Sequence, residues 1–161
     1  MSARTEVVNF HRSTPDELLA VLRALDDARD GWVNIQALEP EQDELDASPV
    51  RAGLFSLVTA RGPRVPVATW VPAERGGRRR DPDSVGIQHA SGPKAARRLL
   101  ATGVEPPEGA SLLSDHPRRG LVLALAPDTS PGRVLEWLFA ASDALSAEPL
   151  PDTWVAVVHH R

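Results

Sequence analysis

Cysteine is absent from the 161 residues, which excludes disulfides, thiolate nucleophiles, iron–sulfur clusters and cysteine-ligated zinc. Lysine occurs once, at Lys94, against 17 arginines. With 15 prolines, that bias reads as the codon usage of a GC-rich genome rather than as an activity. Long apolar runs are missing too. The longest, Leu121 to Ala126, is far short of the roughly 20 residues that span a bilayer. No apolar signal core follows Met1 to Glu6, so the expected location is the cytoplasm. Phosphate-loop, dinucleotide, Gly-x-Ser-x-Gly and His-Glu-x-x-His patterns are all lacking, and neither a cofactor nor a metal site is expected.

What is present is a globular composition, 42% hydrophobic and 25% charged. The net charge of −4 argues against nucleic acid and anionic membranes as partners. Charge is unevenly spread, however. Residues 1–50 hold 4 arginines and 11 acids, whereas the remainder carries a small positive excess, so any anion site belongs after residue 50.

Thr14-Pro15-Asp16-Glu17 has the form of a capping box, and Leu18, Leu22 and Leu25 follow at helical spacing, with Gly31 as the expected stop. Trp32 to Gln36 alternates as a strand. Glu39 to Ser48 is an acidic loop, and Leu54–Ala60 with Val65–Val71 reads as a β-hairpin. Residues 73–83, with Arg75 and Arg78 to Arg80, form a basic loop that lacks the aromatic residues of single-strand recognition.

From Ser84 onward the order is strand, helix, strand, strand, helix, strand. Its members are Val85–His89, Ser91–Thr102, Ala110–Ser114, Leu121–Ala126, Ser130–Ser146 and Trp154–His159. The expected fold is α+β within one domain, residues 1–161. It comprises an antiparallel or mixed sheet with a ferredoxin-like βαββαβ C-terminal half (84–161) and an N-terminal helix plus β-hairpin (1–72). Leu121–Leu125 and Trp154–Val158 are apolar on both sides and want cover on both. That cover is expected from the N-terminal elements or from a second copy, making a homodimer.

Two constellations are candidates for chemistry. At Gln88-His89-Ala90-Ser91-Gly92-Pro93-Lys94 a strand ends in a glycine turn before a helix, an arrangement that favours an anion near Ser91, Gly92 and Lys94. At Asp115-His116-Pro117-Arg118-Arg119-Gly120, two arginines are placed to clamp a carboxylate or phosphate. His89 and His116 are the candidate acid/base groups. Each constellation also reads as plain structure, the first a capped helix with a solvated basic face and the second a polar hairpin tip. The βαββαβ topology would bring both to one edge of the sheet. His159 and His160 are adjacent on a strand and point to opposite faces, which makes them poor joint ligands.

The Gly86-Ile87-Gln88-His89 and Gly92-Pro93-Lys94-Ala95 segments, with Asp115 to Leu123, resemble conserved proteins of GC-rich bacteria that carry no assigned activity. The resemblance covers the last half of the chain and implies no catalytic residue. The sequence therefore points first to a non-enzymatic, homodimeric interaction or ligand-binding module. The alternative is an enzyme or sensor for a small anionic metabolite.

Overall fold

The computed structural model describes residues 4–38, 62–73 and 81–161. Over these residues the chain forms β1 (Arg4–His11), α1 (Asp16–Ala28), β2 (Gly31–Ala37), β3 (Val67–Val71), β4 (Ser84–Gln88), α2 (Ala95–Ala101), β5 (Ser111–His116), β6 (Gly120–Ala124), α3 (Pro131–Leu145) and β7 (Thr153–His160). The Leu54–Ala60 arm of the expected hairpin, most of the acidic loop and the Arg75–Arg80 run lie outside the described residues.

The seven strands make one antiparallel sheet in the order β1-β7-β2-β3-β4-β6-β5. The β4-β6-β5 arrangement is the one a ferredoxin-like unit requires. In that unit β7 would pair with β4. Instead β2 and β3 stand between them, and β7 pairs with β2 and β1. The strands before Ser84 thus extend the main sheet. β1 was not foreseen, although Val8 and Phe10 are buried and alternate with exposed Asn9 and His11.

The inner face of the sheet is set by period-2 alternation. Val33 and Ile35, Ala68 and Trp70, and Val85 and Ile87 are each 0–1% exposed. All three helices lie on this face. α1 packs over β1 and β2, α3 over β3 and β4, and α2 over β6, with α3 between the other two. Of the candidates for covering the second face, the N-terminal helix is therefore ruled out. α1 turns its one leucine stripe, Leu18, Leu22 and Leu25, to the sheet face that α3 also covers. Among the described residues no helix lies on the other face, and none is long and apolar enough to cross a membrane.

α3 is apolar over most of its circumference, with Val134, Leu135, Trp137, Leu138, Phe139 and Leu145 all buried, because it meets the sheet below and a helix on each side. Its start follows the sequence. Ser130 accepts from the Arg133 amide at 3.4 Å, and Pro131 occupies the first turn. Phe139 then stands edge-on to Trp154 with centroids 5.0 Å apart, which pins the helix to β7.

α1 departs from its expected ends. Thr14 does not cap it, since the Thr14 amide donates to the His11 carbonyl and Pro15 holds the cap position. The helix stops at Arg29, which is left-handed (φ 53°) with its amide on the Leu25 carbonyl. Gly31 opens β2 instead, where a Cβ would lie 1.9 Å from the His159 carbonyl oxygen.

The Arg29 conformation turns its side chain to a buried acid. Asp83, 5% exposed, accepts from Arg29 Nη1 at 2.7 Å and from the Ala73 amide at 2.8 Å, while Asp26 takes the other guanidinium nitrogen at 3.1 Å. Burial raises the Asp26 carboxyl above its usual range against the opposing pull of Arg29. The cluster fastens the end of α1 to the start of β4. Arg29→Met leaves Asp83 buried without its cation and is expected to cost about 3 kcal/mol. A urea titration should show a lower midpoint at unchanged slope, and Asp83→Asn in the same chain should recover part of the loss.

Candidate functional site

The topology brings the two sequence constellations to the same end of the sheet. β4 and β5 flank β6, with Ile87 opposite Leu121 on one side and His116 opposite Gly120 on the other. Gly120 makes this close approach possible. Its φ is 82°, and a Cβ there would lie 2.2 Å from the Ile87 carbonyl oxygen.

The constellations divide between the two faces, however. Asp115 pairs with Leu121, whose side chain faces the helices, so the next residue, His116, belongs to the opposite face. On the helix side are His89, Ser91 and the start of α2. The α2 amides that favour an anion are already occupied by one from the chain itself. Asp115 accepts from the Ala95 amide at 3.1 Å and from the Ala96 amide at 3.0 Å. α2 begins later than expected because Lys94, left-handed at φ 64°, cannot belong to the helix. Gly92 is also left-handed (φ 86°), and the exposed Lys94 makes no ion pair among the described residues.

His89 is 1% exposed, and its Nδ1 is 2.8 Å from Ser91 Oγ. Nε2 is buried with no hydrogen-bond partner among the described residues. Burial pushes the ring below the usual histidine value, with Arg98 adding to the effect and Asp115 opposing it. His116 has a different task. Its Nδ1 accepts from the Arg118 amide at 3.1 Å and from the Arg119 amide at 3.3 Å, closing the turn in which both arginines are exposed. The two candidate acid/base rings thus share one end of the sheet but not one pocket, and each has a ring nitrogen engaged in local structure.

A second arrangement lies on the helix-free face. Thr69 Oγ1 donates to Asn34 Oδ1 at 2.8 Å, which orients the amide. Asn34 Nδ2 then donates to His159 Nε2 at 3.2 Å, which assigns the ring proton to Nδ1. The His159 ring stacks on Trp32 with centroids 4.7 Å apart and planes 14° from parallel. The Arg161 guanidinium lies 5.7 Å from the Trp32 centroid. This track crosses β3, β2 and β7 in register, since Asn34 pairs with Thr69 and Trp32 with His159. Burial lowers the His159 ring, and the His160 charge lowers it further. Sequence reasoning set these histidines aside. The detectable signal was the shared parity of Trp32 and Asn34, but only strand pairing brings His159 to them.

Ser13, Asp152 and His11 also cluster. Ser13 Oγ donates to Asp152 Oδ2 at 2.7 Å, its amide donates to Oδ1 at 2.8 Å, and His11 Nδ1 is 3.4 Å from Oδ2. In a nucleophilic triad the imidazole lies between hydroxyl and acid. Here the carboxylate lies between them, so the cluster is a loop fastening. The Ser13 hydroxyl, then its amide, hold Asp152 below the usual carboxylate range. Among the described residues no group of His, Asp or Glu is placed to hold a metal.

Comparison of the chain with protein-family models, with curated proteins and with solved structures finds no match.

Two outcomes follow. Asp115→Ala removes the α2 cap and is expected to lower stability by about 1–2 kcal/mol. It also frees the two amides, so sulfate should then raise the Tm of the variant more than that of the parent. The second outcome concerns pH. Both His89 and His159 favour the neutral ring in the native state, so their contribution is complete above 6.5 and is lost as pH falls below 6.5 through the lowered values. Ring-carbon NMR titration should place both midpoints below 6.5, and a His89 midpoint above it would contradict the burial argument.

Proposed function

We propose that the protein is a non-enzymatic, cytoplasmic binding module, a ferredoxin-like unit opened by inserted strands, that engages its ligand through the sheet face on which no helix lies among the described residues. The observation that carries this reading is the Thr69–Asn34–His159–Trp32 track. It is a row of oriented amide, imidazole and indole groups held rigid by three neighbouring strands and left half-exposed. Such a surface combines an aromatic platform with fixed polar atoms, the usual composition of a recognition surface. The chemistry-bearing groups at the α2 end support the same reading from the other side, because Asp115, His89 and His116 each spend hydrogen-bonding capacity on structure.

A second reading has one observation in its favour. The unpartnered, buried Nε2 of His89 lies in a region where Asp115 and Arg98 act on the same ring. A small phosphate or carboxylate metabolite that displaced the Asp115 carboxylate would meet the α2 amides with Lys94 nearby.

A thermal-shift panel of nucleotides, sugar phosphates, small carboxylates and short peptides separates the two. A ligand at 100 times its Kd stabilises by about 2.7 kcal/mol. A hit on the helix-free face is expected to be lost in Trp32→Ala and Asn34→Ala and retained in Lys94→Ala. The opposite pattern would reject the first reading in favour of the second.

A further inference from the structure

The two edges of the sheet are unlike. β1 has Arg4, Thr5, Asn9 and His11 exposed along its length, the polar and charged side chains that keep edges from pairing. β5, at the other edge, exposes Leu112 and Leu113 at 55% and 58% and has neither charge nor proline from Ser111 to Ser114. Together with Leu100 of α2 these are the large exposed apolar side chains among the described residues. Leu112 pairs with the inward-facing Leu123, so it belongs to the helix side, where α2 packs over β6 and Leu100 is 58% exposed. Leu113 sits at a bulge with no partner on β6. Among the described residues β5 pairs with β6 alone, which leaves its outward amides and carbonyls to another strand.

We propose that β5 pairs antiparallel with β5 of a second copy, across a two-fold axis centred on Leu112 and Leu113, so that two sheets become one. The charge pattern selects this occupant. Glu105 and Glu108 precede the strand, while Arg118 and Arg119 follow it. All four are exposed and without an ion-pair partner among the described residues. In the antiparallel alignment the Leu112–Leu113 segments of the two copies lie side by side. The acidic turn before β5, with Glu105 and Glu108, then lies at the same end as the basic turn that follows β5 in the second copy. The symmetry repeats the contact at the other end, so each acidic flank meets a basic one. The reverse alignment sets like charge against like. An axis normal to the sheet also keeps both helix layers on one side and carries the two α2 helices toward the seam, where Leu100 and Leu112 gain cover.

This association is independent of the helix-free face and of its ligand. The test is the mass of the full chain in solution. Sedimentation equilibrium is expected to give twice 17.4 kDa, falling to 17.4 kDa in Leu113→Lys, which should still melt cooperatively but with a Tm that no longer depends on protein concentration. Glu108→Arg should weaken the dimer, and adding Arg118→Glu to the same chain should restore it. Because the chain has no cysteine, a single introduced one reports the interface directly. Leu113→Cys should form an intermolecular disulfide on oxidation, and Thr5→Cys on β1 should not. A mass of 17.4 kDa at all concentrations overturns the proposal. So does a dimer that survives Leu113→Lys or cross-links through Thr5→Cys.

Discussion

The fold depends on burying α3. This helix is apolar over most of its surface, so it is stable only with the sheet beneath it and a helix on each flank. It is also the connection from β6 to β7, which stand four strands apart, or about 19 Å at the usual interstrand spacing. β2, β3 and β4 fill that gap, and α3 lies over β3 and β4 in its middle. Inserting β2 and β3 between β7 and β4 therefore provides the floor that a helix of this hydrophobicity requires. β7, the last strand, has the remaining organising role. Among the described strands it is the only partner of β1 and one of two partners of β2. The sheet is incomplete until the end of the chain docks, a pairing of high sequence separation.

One-sided coverage by the helices divides the polar residues into two groups. On the helix side, the two carboxylates drawn into the layer are satisfied locally. Asp83 takes Arg29 and the Ala73 amide, and Asp115 takes the α2 amides. An acidic side chain at a helix start satisfies the same physics that makes such a site attractive to phosphate. A sequence with an anion-favouring turn can therefore supply its own anion. On the other face no such economy is needed, and Trp32, Asn34, Thr69 and His159 are arranged for display while remaining half-exposed. The backbone beneath them is held by ladder hydrogen bonds on both sides.

Much of the local structure was legible. The leucine stripe of α1, the Ser130–Pro131 start of α3 and the alternation of β2 each follow from spacing and capping chemistry, which act within a few residues. The meeting of the His89 end of β4 with the 115–120 turn was legible too, since antiparallel order alone implies it. β1 was missed because it has only two inward apolar side chains, Val8 and Phe10, a signal too short to stand out. The end of α1 was missed because Gly31 is glycine for a long-range reason, the backbone of β7, rather than for a helix stop.

By itself the sequence determined the helices and most of the strands, the apolar side of each of these, and that no thiol chemistry is available. These are properties of neighbouring residues and of composition. Only the tertiary structure decided that β7 joins β1 and β2 instead of β4, that Asp115 fills the α2 cradle, and that His159 stacks on Trp32 across strands 127 positions apart. The physical reason is common to all three. Each depends on which surfaces compete for the same buried space, and that competition is settled by the volume and shape of the whole helix layer rather than by any local pattern.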